Sequence, residues 1–197
     1  MGLNIVSSSG KFDPWVKFNS KAGRWFIKGA DDKEQEVSPT LFVADFANIK
    51  TGWMKFVAGV APDRVWDESI TNAAPRPSPD HKRGFLLRLF SQTAFGGVVE
   101  LSSTSMHICN AINALYDAYE ADLGANPGKL PVVKFVRTVP MKDKHGTNYA
   151  PEFVIEKWTP RPAAFDDGAS EESAPVAASS PSAPPPPPPP KGSVSEF

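Results

Sequence analysis

The feature that most constrains the fold is that only one stretch of the chain has helical periodicity. Apolar residues recur at steps of four, three, four and four from Ile108 to Leu123, which predicts a helix with a single apolar stripe. The hydroxyl residues at 102–104 are N-cap candidates, and Gly124 marks the end of the helix. One helix cannot supply the crossovers that a parallel sheet requires. The sequence therefore predicts a mainly β, antiparallel body with one helix.

The other apolar segments are short runs with the alternation typical of strands. Turn residues separate them, and this arrangement predicts about eight strands, mostly in hairpins. A small barrel or curled sheet closed by the helix accommodates the pattern, and the OB-fold is the commonest example that binds nucleic acid. We therefore predict an elaborated OB-fold-like small barrel, with a β-sandwich as the alternative. The predicted hairpins span 11–28, 40–60 and 84–101, and a last pair of strands spans 132–139 and 153–158.

Three polar stretches are predicted as loops. Residues 29–38 are rich in charged side chains, and prolines at 62, 75, 77 and 79 disfavour regular structure over most of 62–82. Because a long loop in a small domain is often functional, we predict 62–82 to be either a clamp over the sheet or a mobile surface loop. The basic stretch 140–151 is a candidate second binding loop. The clamp would present Arg64, Trp66, Arg76, His81 and Lys82.

The C-terminal part of the chain differs in composition from the rest. Residues 1–160 contain 19 Lys and Arg against 17 Asp and Glu, a net charge of +2, whereas 161–197 contain 2 against 5, a net charge of −3. The second part is dominated by Ala, Ser and Pro and includes seven consecutive prolines at 184–190. Such a segment buries too little apolar surface to offset its ordering entropy. We predict a folded domain at 1–160 and a disordered, acidic, proline-rich tail at 161–197.

Several features indicate the compartment. A lone cysteine, Cys109, excludes an internal disulfide and fits a reducing cytoplasmic setting. The first residues lack the basic and apolar regions of a signal peptide. No stretch approaches the ~20 apolar residues that cross a bilayer. We therefore expect a cytoplasmic protein that does not associate with a membrane.

The sequence carries no enzyme signature. It has no Gly-rich phosphate loop of the common spacings. The three histidines, His81, His107 and His145, lie in separate segments without metal-ligand spacing. We predict a protein without catalytic activity, cofactor or metal. An enzyme whose carboxylates converge only in three dimensions is one alternative.

The first hairpin is the strongest candidate binding surface. Alternation places Trp15 and Lys17 on one face of its first strand, and Arg24, Phe26 and Lys28 on one face of its second. Rings between cations suit single-stranded nucleic acid, because cations bind phosphates and rings stack on unpaired bases. An ordinary half-buried hairpin with solvated cations is the alternative. Further predicted nucleic-acid-binding residues are Trp53 and Lys55 on a later strand and, with weaker support, Arg88, Lys134 and Arg137.

This layout resembles bacteriophage single-stranded-DNA-binding proteins of the OB-fold type. The resemblance rests on the aromatic, basic, hairpin-built body, the single late helix, the acidic tail ending in Phe197, and the segment 151–162 that closes the body. It implies protection of single-stranded DNA in replication or recombination, and a tail tip that recruits partner proteins. The family tip carries several acids before an aromatic residue, whereas here only Glu196 precedes Phe197. If the chain is phage-encoded, the compartment is the host cytoplasm.

We therefore predict a sequence-tolerant single-stranded-DNA-binding protein that could form a homo-oligomer. Its expected partners are single-stranded DNA and replication or recombination proteins that bind the tail at Glu196 and Phe197. The near-neutral total charge of −1 supports the main alternative, a phage structural or interaction protein in which the proline-rich tail is a spacer.

Overall fold

The computed structural model describes residues 14–28, 33–57, 59–144 and 146–166. Within these ranges the chain forms one ten-stranded sheet and one long helix. The prediction of a mainly β body with one main helix is thus confirmed. The strands are β1 Trp15–Asn19, β2 Arg24–Lys28, β3 Glu34–Val37, β4 Leu41–Ala44, β5 Lys50–Lys55, β6 Asp63–Trp66, β7 Lys82–Ser91, β8 Gly97–Ser103, β9 Lys129–Asp143 and β10 Gly146–Pro160; the helices are α1 Gln92–Phe95 and α2 Met106–Leu123.

The strands are ordered β10-β9-β4-β7-β8-β1-β2-β3, and β5 and β6 branch from β7. The described pairings are antiparallel except that β1 runs parallel to β8. The sheet curls strongly, because Trp25 on β2 lies 5.8 Å from Phe135 on β9 and 6.1 Å from Phe153 on β10, ring centroid to ring centroid. The tip of the β1–β2 hairpin also meets β10, where the Tyr149 amide donates to the Ser20 carbonyl at 2.7 Å.

Helix α2 covers the core of the curled sheet with the predicted stripe. Ile108, Ile112, Leu115 and Tyr119 are buried, whereas Leu123 is 37% exposed. The helix begins at Met106, beyond the predicted N-cap positions 102–104, because β8 extends to Ser103, and it ends at Leu123 before Gly124, as predicted. The stripe packs in one cluster with inward residues of β1, β2, β4, β7 and β8. The inward side of the β1–β2 hairpin is therefore committed to the core, and its outward side is left for solvent.

The predicted hairpin at 40–60 is wrong. Strands β4 and β5 do not pair with each other; Val43 on β4 pairs with Phe90, and Thr51 on β5 pairs with Phe85. Strand β7 is ten residues long and uses its other edge for β8, so it takes two short partners end to end. A 3₁₀ turn at Phe46–Asn48 carries the chain from one to the other.

The loop predictions were partly wrong. Four-residue strands β3 and β6 lie inside the stretches predicted as loops at 29–38 and 62–82. Strands β9 and β10 run for fifteen residues each and take up most of 140–151. Pro140 and Pro151 are tolerated there because β10 is an edge strand and this part of β9 pairs only with β10.

The packed body extends past the predicted domain boundary at residue 160. Phe165 is 1% exposed and packs with Val43, Leu130 and Val132. The Arg161 guanidinium donates to the buried carboxylate of Asp45 at 2.7 Å. Residues 161–166 therefore belong with the body. The predicted tail beyond them, with Glu196 and Phe197, and the start of the first predicted hairpin at 11–13 lie outside the described residues.

Candidate nucleic-acid interface

The outer face of the β1–β2 hairpin gathers five of the predicted binding residues. The register pairs Trp15 with Lys28 and Lys17 with Phe26, and Arg24 lies opposite Asn19. The turn is stabilised locally, since the Asn19 side-chain oxygen accepts from the amide of Lys21 at 2.9 Å. We call this surface the hairpin face and define it as Trp15, Lys17, Arg24, Phe26 and Lys28.

Cations and rings on the hairpin face are in contact with one another. The Lys17 ammonium lies 5.3 Å from the Trp15 ring centroid and 5.8 Å from that of Phe26. The Lys28 ammonium lies 5.8 Å from the Trp15 ring. Both rings are only partly buried. A surface of this kind offers flat apolar area and positive charge within the same few ångströms.

Strand β3 adds two carboxylates that the sequence analysis did not identify. Glu34 pairs with Lys17, and Glu36 accepts from Arg24 at 3.0 Å. These four side chains are between 36% and 62% exposed, and exposed pairs of this kind are worth about 0–1 kcal/mol. The only sequence signal was the four-residue run Glu34–Val37, which is too short and too charged to stand out as a strand.

Trp53 and Lys55 lie elsewhere, under the segment 67–81 that links β6 to β7. The Trp53 indole NH donates to the Ala74 carbonyl at 2.7 Å, and the guanidinium carbons of Arg76 and Arg83 both lie 5.3 Å from its ring centroid. Lys55 pairs with Asp80 at 2.9 Å. The segment 67–81, part of the stretch predicted as a clamp or a mobile loop, thus lies over this strand and contacts Trp53 directly.

The segment 67–81 is held by two further polar centres. The Asp67 carboxylate binds the Arg83 guanidinium through two hydrogen bonds of 2.7 and 2.6 Å, and this contact lowers the pKa of Asp67 from 3.8 to about 2. His81 is buried; its Nδ1 lies 2.8 Å from the Ser78 hydroxyl oxygen and its Nε2 lies 3.1 Å from the Asp63 carboxylate. Both centres tie the segment to β6 and β7.

The three weaker candidates have partners within the body. Arg88 donates to the Phe165 carbonyl at 2.6 Å and lies 5.6 Å from its ring centroid, so it positions the C-terminal segment. On β9, Lys134 lies 3.5 Å from Glu156, and Arg137 donates to Glu152 at 2.7 Å. The structure therefore does not bring these side chains into the hairpin face.

A cleft beside α2 was not recognised in the sequence. Trp66 closes one side of it, with the Lys50 ammonium 5.7 Å and the Arg64 guanidinium 5.8 Å from its ring centroid. Arg64 and Trp66 were noted as parts of the clamp, but the strand they occupy was missed. A Trp and an Arg two residues apart would share a strand face, and that alternation was the available signal.

The described ranges contain no cluster of three or more His, Cys, Asp or Glu residues placed to bind a metal ion. Nor does any helix in them have the length and apolar character needed to cross a membrane. Comparison with protein families, with curated proteins and with solved structures found no match.

Proposed function

We propose that the protein binds single-stranded DNA in a sequence-tolerant manner and without catalysis, as a bacteriophage protein of DNA replication or recombination. The observation that carries the proposal is the hairpin face, where two rings and three cations share one outward surface. Aromatic rings stack on unpaired bases of any sequence, and the cations follow the phosphates. Bases in a duplex are already stacked, which favours the single strand.

The internal ion pairs do not prevent this function. Exposed pairs such as Arg24–Glu36 contribute about 0–1 kcal/mol, whereas stacking contributes about 1–3 kcal/mol per base. A phosphate can replace a carboxylate at the same cation and brings a base with it. The strand β3 carboxylates would then lower the affinity without abolishing it.

The direct test is titration of the full chain with labelled oligo(dT) and with a duplex of equal length. If the three cations of the hairpin face each meet one phosphate, log K should fall against log[salt] with a slope of about −2. Lys17→Ala should weaken binding, whereas Lys157→Ala, an exposed lysine on β10, should not. Equal affinity for duplex contradicts the proposal, and no effect of Lys17→Ala would show that the hairpin face is not the DNA site.

The tail is included in the proposal as a recruiting element. Glu196 and Phe197 offer a carboxylate and an aromatic ring at the end of a proline-rich segment, and these groups suit a basic, apolar pocket on a replication or recombination protein. Phe197→Ala should abolish such recruitment and leave DNA affinity unchanged. Loss of DNA binding in this variant would assign the tip to the DNA site instead.

A structural or interaction role is the second candidate. It is favoured by the ion pairs with the chain's own carboxylates that Lys17, Arg24, Lys55, Lys134 and Arg137 form. On a protein that binds no polyanion, surface cations are expected to pair with the protein's own carboxylates. Failure of the full chain to bind any oligonucleotide at low salt would favour this candidate over the first.

A further inference from the structure

A cleft of about 620 Å³ opens between the β5–β6 ribbon and helix α2. Lys50 and Thr51 of β5 and Trp66 at the end of β6 line one side. Tyr116 and Glu120, one turn apart on α2, line the other. The segment that follows β6 completes the rim. The cleft is separate from the hairpin face, which lies on β1 and β2.

The Trp66 ring has a defined seat in this cleft. The register places it opposite Gly52, and a Cβ at Gly52 would lie 3.1 Å from the Trp66 ring and 2.4 Å from the Val65 carbonyl oxygen. Only a residue without a side chain lets the indole lie so close to β5. The ring is partly buried, so one portion is fixed against the strand and another borders the cleft.

The opposite wall is also fixed in place. The Tyr116 ring contacts Phe46 and Tyr119 at centroid distances of 5.6 Å each. Burial and the nearby negative charge of Glu120 raise the pKa of Tyr116, so its hydroxyl stays protonated beside this carboxylate. A carboxylate has about four acceptor sites. Glu120 therefore retains acceptor capacity toward the cleft.

The charges around the cleft balance. Lys50 and Arg64 lie beside the Trp66 ring, and Glu68 and Glu120 line the rim. The remaining carboxylate, Asp67, is bound by Arg83 at 2.6 Å. A near-neutral cleft does not favour a phosphate or a free cation. It suits a flat, neutral ring that carries both donors and acceptors on its edge.

We propose that this cleft binds one unpaired nucleobase of bound single-stranded DNA, with the base against Trp66 and its edge toward Glu120. The inference rests on the proposed function and adds a second contact point away from the hairpin face. Because Glu120 accepts and does not donate, it favours an exocyclic amino group such as that of cytosine. The protein should therefore bind oligo(dC) more tightly than oligo(dT), by about fivefold for one such contact.

The test uses the full chain with its tryptophans replaced by fluorotryptophan. The Trp66 fluorine resonance, assigned by comparison with Trp66→Phe, should shift on addition of oligo(dC). Trp66→Leu should weaken binding about tenfold through loss of stacking, and Trp66→Phe should retain most of the affinity. Glu120→Gln should bring the two affinities together, since an amide both donates and accepts. Asp117 is an exposed carboxylate on the same helix, and Asp117→Asn should change neither the affinity for oligo(dC) nor that for oligo(dT).

The outcomes separate this inference from the proposed function. The cleft proposal is overturned if the Trp66 resonance does not move and both Trp66→Leu and Glu120→Gln bind DNA like the wild type. If Lys17→Ala binds weakly in the same experiment, the hairpin face remains as the DNA site. Weak binding by Trp66→Leu with normal binding by Lys17→Ala supports the cleft and overturns the hairpin face. If the wild type binds no oligonucleotide, both proposals fall. A melting curve for each variant shows that the comparison is made between folded proteins.

Discussion

At the scale of single residues, Trp53 shows how a partner changes the meaning of a side chain. Its ring and indole NH bind Arg76, Arg83 and the Ala74 carbonyl. We expect Trp53→Ala to lower the free energy of unfolding by about 2 kcal/mol, since it removes packing, a hydrogen bond and two cation–π contacts. Urea denaturation of the full chain measures this. Trp15→Ala is the control: it should lower the free energy of unfolding less than Trp53→Ala does, and it should lower the DNA affinity more. If Trp53→Ala instead lowers the DNA affinity more and the stability less, Trp53 is the binding residue.

The Asp67 carboxylate should make stability depend on pH. Arg83 lowers its pKa to about 2 from an ordinary value of 3.8, and its side chain is 2% exposed. The folded protein binds the proton less readily than the unfolded chain, so the stabilisation is complete above 3.8 and is lost as the pH falls toward 2. About 2 kcal/mol should disappear across that window. Asp67→Asn should remove this dependence in urea titrations, whereas Asp117→Asn should keep it; equal slopes for Asp67→Asn and wild type would contradict the assignment.

At the scale of elements, β3 controls the charge of the hairpin face. Glu34 and Glu36 neutralise Lys17 and Arg24. We expect Glu34→Gln with Glu36→Gln to raise the affinity for oligo(dT) about three- to tenfold at low salt, because two exposed pairs no longer compete with phosphate. The difference in affinity between this variant and the wild type should become smaller as salt screens the charges. Asp117→Asn with Asp122→Asn on α2 makes the same change of net charge; an equal gain from this control would show that only total charge matters.

The same elements show what local pattern can and cannot predict. Period-two alternation predicted both faces of the β1–β2 hairpin, because Val16, Phe18 and Trp25 are buried and their neighbours are not. Helical spacing likewise predicted the stripe of α2, because Ile108, Ile112, Leu115 and Tyr119 are the residues that the helix buries. The partners of β4 and β5 were missed because β7, which pairs with both, follows them in the chain. The ion pair between Lys17 and Glu34 was missed too, since nothing in the sequence places a four-residue strand beside β2.

At the scale of the whole molecule, the end of the body is set by one cluster. Arg88 and Arg161 lie 5.6 and 5.2 Å from the Phe165 ring centroid, and Arg161 binds Asp45, which is 1% exposed. The amino-acid composition places the boundary at residue 160 and does not reveal this packing, because Arg161 and Phe165 lie among Ala and Pro residues that are typical of the tail. The aromatic ring closes the side of the sheet formed by Val43, Leu130 and Val132.

The position of the boundary decides what a truncation measures. A chain ending at Asp166 loses only the tail, and we expect it to melt at the temperature of the full chain. A chain ending at Pro160 also loses Phe165 and the partner of buried Asp45, and breaking such a pair from one side costs about 3–5 kcal/mol. Thermal unfolding of the two truncated chains measures the difference, with Phe165→Ala in the full chain as an independent check. Equal melting temperatures would show that residues 161–166 add no stability. If the shorter chain melts lower, then any effect of the acidic tail on DNA affinity has to be measured with the chain that ends at Asp166, because that truncation removes the tail without removing Phe165 and Arg161 from the fold.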